Sequence, residues 1–160
     1  MISITKPRWF SWAAVAAVLA AAGACAPAWA GEAPGGIDLS AYKGKVVYID
    51  FWASWCGSCK LSFPYMQDLS AQCGAKGFSI LAVNVDHTRA SADAFVAQHG
   101  QGLNVLYDTN HKISETYHVS AMPTSILIGR DGKVRYIHQG FLPEKISSYK
   151  SEITKLLNEQ

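Results

Sequence analysis

The order of apolar and polar positions after residue 36 predicts a domain in which strands alternate with helices. Short apolar runs rich in β-branched and aromatic residues are typical of buried strands, whereas apolar residues that recur every three or four positions are typical of helices. Strands are predicted at Lys45–Phe51, Ser79–Val85, Asn104–Tyr107, Thr124–Ile128 and Val134–His138.

Helical spacing predicts the intervening segments. The first helix follows a pair of cysteines, carries apolar positions from Leu61 to Cys73, and is expected to end at Gly74. Further helices are predicted at Ser91–His99, at Asn110–Val119 and from Pro143 onward. The Asp131-Gly132 pair marks a hairpin turn between the last two strands. Together these elements predict a three-layer α/β domain.

Composition and charge narrow the class of protein. With 160 residues, of which 49% are hydrophobic, the chain is long enough for one domain with a real core. The formal net charge is +2, but Lys6 and Arg8 account for it, and residues 31–160 hold 12 basic and 12 acidic side chains. We therefore expect no basic patch for nucleic acid and no polybasic stretch for anionic lipid.

The first thirty residues differ from the rest. A basic start, an uncharged alanine-rich middle and the ending Ala28-Trp29-Ala30 predict a secretory signal peptide over residues 1–30, followed by a Gly/Pro-containing linker at residues 31–36. Two alternatives stay open: a retained membrane anchor, because the uncharged run is long enough to span a bilayer, and a lipoprotein modified at Cys25. All three put the domain in the periplasm or on the extracytoplasmic face of a membrane.

Cys56 and Cys59 lie three positions apart at the start of a predicted helix that follows a strand. This spacing brings the side chains onto one face, close enough for a disulfide. Free N–H groups and the positive end of the helix dipole stabilise a thiolate at Cys56, and cysteines in such settings reach pKa values of roughly 3.5 to 7.5. We therefore expect Cys56 to be the nucleophile of thiol–disulfide exchange and Cys59 the resolving thiol.

Two other uses of the cysteine pair are weaker. A purely structural disulfide across so short a ring constrains little of the unfolded chain. A zinc site needs two further ligands, and the sequence holds no second C-x-x-C and no H-x₃-H. The pattern predicts no metal site and no cofactor.

Residues 50–60, DFWASWCGSCK, are similar to the active-site stretch of thioredoxins. The likeness continues at Pro64, within the first helix, and at Ala121-Met122-Pro123-Thr124, which resembles the loop that carries the family's cis-proline. With the predicted export and the added helix and strand between Asp86 and Asn110, the chain resembles the TlpA/ResA-like periplasmic thiol:disulfide oxidoreductases. The resemblance implies a thioredoxin-like fold with a central mixed sheet and an inserted helix–strand element.

The resemblance also implies roles for individual residues. Asp50 matches the buried acid that assists proton transfer at the resolving cysteine, and desolvation should raise the pKa of such a carboxyl. Pro123 is expected to be cis, which leaves the Met122 backbone free to pair with an extended substrate. Trp55, Gly57 and Ser58 complete the expected substrate-binding surface, and Trp52 is expected to be a core residue without a catalytic part.

Four positions depart from the family or stand apart from the motif. Thioredoxins have proline in place of Ser58, and they have a lysine near the buried acid where this chain has Ala82. His87 follows the same strand, and is either an alternative proton relay or a solvent-exposed loop histidine. Cys73 is expected to be a buried, inert thiol, because it lies about 21 Å from Cys59 along the helix axis, too far for a disulfide.

The leading functional hypothesis is a monomeric, exported reductase of protein disulfides. In an oxidising compartment it would need a membrane electron donor of the DsbD/CcdA type, and the family's clients include apocytochromes c and copper-site proteins. One alternative is a disulfide-donating oxidase. The other is a copper-binding thioredoxin-fold chaperone, although those proteins space their cysteines more widely and use a specific histidine.

Overall fold

A computed structural model describes residues 36–159 of the chain. The predicted signal peptide, residues 31–35 of the predicted linker and Cys25 lie outside the described residues. No helix within residues 36–159 is long and apolar enough to cross a membrane. The strands are β1 Val46–Trp52, β2 Phe78–Asn84, β3 Asn104–Tyr107, β4 Thr124–Ile128 and β5 Val134–Gln139. The helices are α1 Cys59–Cys73, α2 Arg89–His99, α3 Lys112–Thr116 and α4 Ile146–Asn158.

The five strands form one mixed sheet in the order β3-β2-β1-β4-β5. β1 and β2 run parallel, as do β2 and β3, whereas β4 is antiparallel to both β1 and β5. The predicted α/β fold with a central mixed sheet is confirmed, and the inserted element is α2 followed by the edge strand β3. β1 is the central strand, so a polar side chain on it lies deep in the domain.

Alternation along β1 divides its side chains between the two faces of the sheet. Tyr48, Asp50 and Trp52 share one face. The Trp52 ring packs against Phe63 of α1 and Phe95 of α2, with centroids 4.9 Å apart in each pair. The face that carries Asp50 is therefore the face covered by α1, the helix that begins at Cys59. Trp52 is fully buried, as predicted for a core residue.

The opposite face of β1 is apolar throughout. Val47, Ile49 and Phe51 are fully buried, and the Phe51 ring lies 5.6 Å from that of Tyr117, which directly follows α3. Helices on both faces of the sheet give the predicted three layers.

Several element ends differ from the predictions by one to three residues, whereas the predicted end of α1 at Gly74 is confirmed. α1 ends at Cys73, but the chain continues through a 3-10 turn at Gly74–Lys76, and the left-handed residue is Gly77, with φ 80°. A helix predicted over Asn110–Val119 is only the five residues of α3. Asp108 explains where α3 begins, because its buried carboxylate accepts hydrogen bonds from the N–H groups of Ile113 and Ser114.

Candidate active site

Cys56 and Cys59 are joined by a disulfide, with Cα atoms 5.3 Å apart. Cys59 is the first residue of α1, and its backbone N–H donates a hydrogen bond to Cys56 Sγ over 3.1 Å. The Cys56 sulfur thus lies at the end of the helix that presents free N–H groups, where a thiolate is stabilised. Cys59 is fully buried, whereas Cys56 retains 5% exposure. This difference supports the predicted order of attack, in which an outside disulfide meets Cys56 first.

Exposed residues surround the disulfide. Trp55 is 70% exposed, which is unusual for so large an apolar side chain, and Gly57 is also exposed. Leu61, one turn into α1, is 55% exposed. These residues give the surface around Cys56 an apolar character suited to contact with another polypeptide.

The proline loop lies against the disulfide. The Met122–Pro123 peptide bond is cis, as predicted. Pro123 is buried and its carbonyl accepts a hydrogen bond from Gly140 N–H over 2.7 Å. The Ser58 hydroxyl lies between the loop and the reactive sulfur, 3.5 Å from the Met122 carbonyl oxygen and 3.6 Å from Cys56 Sγ. The predicted substrate-facing residues come from two separate parts of the chain, which the Ser58–Met122 contact joins.

Asp50 is fully buried on the face of β1 that α1 covers. Burial raises its pKa from 3.8 to about 7, although a hydrogen bond from Ser125 acts in the opposite direction. The Ser125 hydroxyl donates to Asp50 Oδ1 over 2.8 Å, whereas Oδ2 has no hydrogen-bond partner among the described residues. A carboxyl that is half ionised near neutral pH and keeps one oxygen unpaired is suited to exchange a proton.

The structure also shows where the residues that depart from the thioredoxin pattern lie. Ala82 pairs with Asp50 in the register of β1 and β2, so no lysine lies at that position. His87 is exposed, and its Nδ1 lies 3.2 Å from Nε2 of His111. Within residues 36–159, no three His, Cys, Asp or Glu side chains are grouped so that they could hold a metal ion.

Cys73 is a free cysteine, but it is half-buried rather than buried. It is the last residue of α1, and its side chain packs against the core but stays partly accessible. Because Cys59 and Cys73 belong to one continuous helix, the predicted separation of about 21 Å holds. Pairing between Cys73 and the reactive cysteines is excluded.

A buried polar network near the disulfide was not predicted from the sequence. Asp86 accepts hydrogen bonds from the Ser54 backbone N–H over 2.9 Å, from the Ser54 hydroxyl over 3.0 Å and from the Asn84 amide over 2.8 Å. Ser54 lies two residues before Cys56, so this network holds the segment that enters the site. The sequence does carry a signal for this network, namely two polar residues at the end of an apolar strand, Asn84 and Asp86.

A dithiol at the start of a helix, beside a cis-proline loop and above a mixed sheet, defines a thioredoxin-like redox protein. Comparison with known proteins agrees. A model of the redoxin family matches residues 21–153. The chain belongs to this family, as a ResA/TlpA-like member of the thioredoxin superfamily.

Individual relatives support the same assignment. The thiol-disulfide oxidoreductase ResA of Oceanobacillus iheyensis is 36% identical over 123 residues, 76% of this chain and 64% of that protein. ResA of Bacillus thuringiensis is 39% identical over 119 residues, 74% of this chain and 69% of that protein. The solved structure of a candidate thiol:disulfide interchange protein DsbE from Chlorobium tepidum has a TM-score of 0.73 at 43% identity, covering 75% of this chain and 85% of that one. The chain thus spans just under two thirds of the Oceanobacillus relative.

Proposed function

We propose that the protein is an exported thiol:disulfide oxidoreductase that reduces disulfides of other proteins by exchange through Cys56 and Cys59. The observation that carries this proposal is the disulfide at the start of α1, with Cys56 Sγ accepting the Cys59 N–H. The names of the ResA relatives support the same activity. Client disulfides would dock on the surface formed by Trp55, Gly57, Ser58 and the Met122–Pro123 loop.

The proposed exchange proceeds through Cys56, Cys59 and Asp50. In the reduced protein the Cys56 thiolate attacks a client disulfide, forming a mixed disulfide and releasing one client sulfur as a thiolate. The Cys59 thiol then gives its proton to the Asp50 carboxylate, and the Cys59 thiolate attacks Cys56 Sγ. The second client sulfur leaves as a thiolate, the Cys56–Cys59 disulfide forms, and Asp50 later passes its proton to solvent. Two electrons have moved from the cysteine pair to the client.

Export and recharging belong to the same proposal. The predicted signal peptide directs the domain to the periplasm or the extracytoplasmic face of the membrane, where disulfides persist. A dithiol there is regenerated only by an electron supply, so the protein would depend on a membrane donor of the DsbD/CcdA type. Apocytochromes c and copper-site proteins are the client classes that the family suggests.

Reduction of a protein disulfide at pH 7 tests the activity. The reduced protein is expected to reduce the disulfides of insulin, and Cys56→Ser should abolish this reduction. Cys59→Ser should instead accumulate a mixed disulfide with the client, because the resolving thiol is missing. A Cys73→Ser variant is the matched control and should retain full activity. Equal activity of Cys56→Ser and the unaltered protein would overturn the proposal.

The reduction potential decides the direction of exchange. A value near or below about −220 mV makes the disulfide the stable state and supports a reductase that is recharged by a donor. A value near about −120 mV means that the dithiol is stabilised, and the protein would then be an oxidase.

A further inference from the structure

Three side chains form a continuous hydrogen-bonded chain on the face of the sheet that α1 covers. The Tyr48 hydroxyl donates to Ser125 Oγ over 2.7 Å, and the Ser125 hydroxyl donates to Asp50 Oδ1 over 2.8 Å. Tyr48 and Asp50 lie two residues apart on one face of β1, and Ser125 is opposite Asp50 in the register of β4. All three are buried, with no more than 3% exposure. We call them the hydroxyl chain.

The direction of the hydroxyl chain is fixed by its two ends. An ionised carboxylate can only accept hydrogen bonds, so at Asp50 the Ser125 hydroxyl must be the donor. That hydroxyl has one hydrogen, so its oxygen is left to accept from Tyr48. The hydrogen bond from Tyr48 polarises the Ser125 hydroxyl and makes it a better donor. The two oxygens of Asp50 are therefore unequal: Oδ1 is held by a donor, and Oδ2 is buried without one.

We propose that Tyr48 and Ser125 are positioning residues for the exchange reaction, whose hydroxyls hold Asp50 Oδ1 and leave Oδ2 as the oxygen that gains and loses the proton. This inference rests on the proposed function. During resolution the Cys59 S–H bond breaks as the Oδ2–H bond forms, and the electron pair left on the Cys59 sulfur makes the new bond to Cys56 Sγ. Oδ1 keeps its hydrogen bond from Ser125 throughout the cycle, including the step in which Oδ2 loses the proton.

Among the residues around Asp50, those of the hydroxyl chain have the main influence on its protonation. Ala82 faces it from β2, Ser125 faces it from β4, and the reactive cysteines begin α1 on the same side of the sheet. The remaining titratable groups that act on this region are two phenols, Tyr65 of α1 and Tyr149 of α4, which act on Tyr48. Within residues 36–159 no cation contributes to the raised pKa of Asp50, which reflects burial opposed by the Ser125 hydrogen bond.

Titration of Asp50 in the oxidised protein tests this role without relying on enzyme activity. The carboxyl carbon is followed by NMR in protein labelled at aspartate. The unaltered protein should titrate near pH 7. Ser125→Ala removes the donor to the ionised form, so its midpoint should rise by about one pH unit. Tyr48→Phe should raise the midpoint by a smaller amount, because Ser125 still donates but is less polarised.

Resolution of a mixed disulfide gives a second readout. If Asp50 must be ionised to accept the proton, Ser125→Ala should slow resolution about fivefold at pH 7 and leave it unchanged at pH 9. Ser125→Thr keeps the hydroxyl and should restore both the midpoint and the rate. A general loss of packing would instead slow resolution equally at both pH values.

Matched controls separate the hydroxyl chain from buried hydroxyls in general. Tyr65→Phe removes a buried phenol oxygen that has no hydrogen-bond partner among the described residues, and Ser114→Ala removes a buried hydroxyl on α3. Neither should move the Asp50 midpoint. The inference is overturned if folded Ser125→Ala and Tyr48→Phe proteins both titrate Asp50 as the unaltered protein does. Such a result would not contradict the proposed reductase activity. Conversely, if the Cys56/Cys59 pair proved inactive, the predicted titration of Asp50 would be unaffected.

Discussion

Two buried carboxylates near the disulfide have opposite hydrogen-bonding environments. Asp86 accepts three hydrogen bonds, from the Ser54 backbone and hydroxyl and from the Asn84 amide, and both of its oxygens are used. Asp50 accepts one hydrogen bond at Oδ1, and its Oδ2 has no partner among the described residues. Both are nearly inaccessible, at 3% and 0% exposure. Burial therefore does not distinguish them; the number of donors does.

The comparison separates a carboxylate that holds structure from one that handles protons. Three donors occupy both oxygens of Asp86, so it serves as a fixed anchor for the segment before Cys56. Asp50 has too few donors to offset its desolvation, and its pKa rises to about 7. A carboxylate of this kind lowers the stability of the folded protein when it is ionised. Groups with such perturbed pKa values are characteristic of functional sites.

The largest expected effect is on the pH dependence of stability, through Asp50→Asn. Between pH 3.8 and about 7 the unfolded carboxyl is ionised while the folded one stays protonated, so the folded state binds more protons and stability falls as pH rises. This contribution amounts to about 4 kcal/mol at pH 8 and is nearly absent at pH 4. Urea unfolding of the oxidised protein at both pH values should show Asp50→Asn gaining that amount relative to the unaltered protein as pH rises.

Ser114→Ala, which removes a buried hydroxyl of α3 and no ionisable group, provides the control. It should leave the pH dependence of unfolding close to that of the unaltered protein. If Asp50→Asn and the unaltered protein lose stability in parallel between pH 4 and pH 8, then Asp50 is not the proton-handling member of the pair.

Removing the other carboxylate, Asp86, should lower stability through the hydrogen bonds that are lost. Asp86→Ala leaves the Ser54 N–H and the Asn84 amide without their acceptor, and we expect a loss of about 3 kcal/mol in the free energy of unfolding at pH 7. Ser54→Ala removes one of the three hydrogen bonds and should cost about 1 kcal/mol. Both are measured by urea unfolding of the oxidised protein. Equal losses from the two variants would contradict the role of Asp86 as an anchor for several donors.

The fold and the centre of the site were predictable because their signals are local. Alternation and apolar runs located all five strands, two of them, Asn104–Tyr107 and Thr124–Ile128, with the observed ends. The motif around Cys56 and Cys59 identified the dithiol, and the resemblance to thioredoxins, supported by its position inside an apolar strand, identified Asp50. Each of these depends on a few consecutive residues and on general rules of helix and strand formation.

The polar networks were not predictable because they depend on strand pairing. Ser125 meets Asp50 only through the antiparallel register of β1 and β4, which joins residues 75 positions apart. A serine inside the TSILI strand carries no sign of its partner. The exposure of Cys73 was wrongly predicted for a related reason, since the apolar stripe does not show where the helix leaves the core. Register and helix ends are decided by tertiary packing, which a single sequence does not display.

The smallest expected effect concerns His87, the alternative proton relay. Its side chain is exposed, and its hydrogen-bond partner among the described residues is His111, which is not part of the hydroxyl chain. His87→Asn should change the free energy of unfolding by less than about 0.5 kcal/mol, the usual range for a surface substitution. The NMR midpoint of Asp50 should stay where it is in the unaltered protein, and the pH profile of mixed-disulfide resolution should be unchanged. A downward or upward shift of that midpoint by half a pH unit would place His87 in electrostatic contact with the proton-handling carboxylate. The protonation of Asp50 would then depend on the loop that carries His87 as well as on the hydroxyl chain.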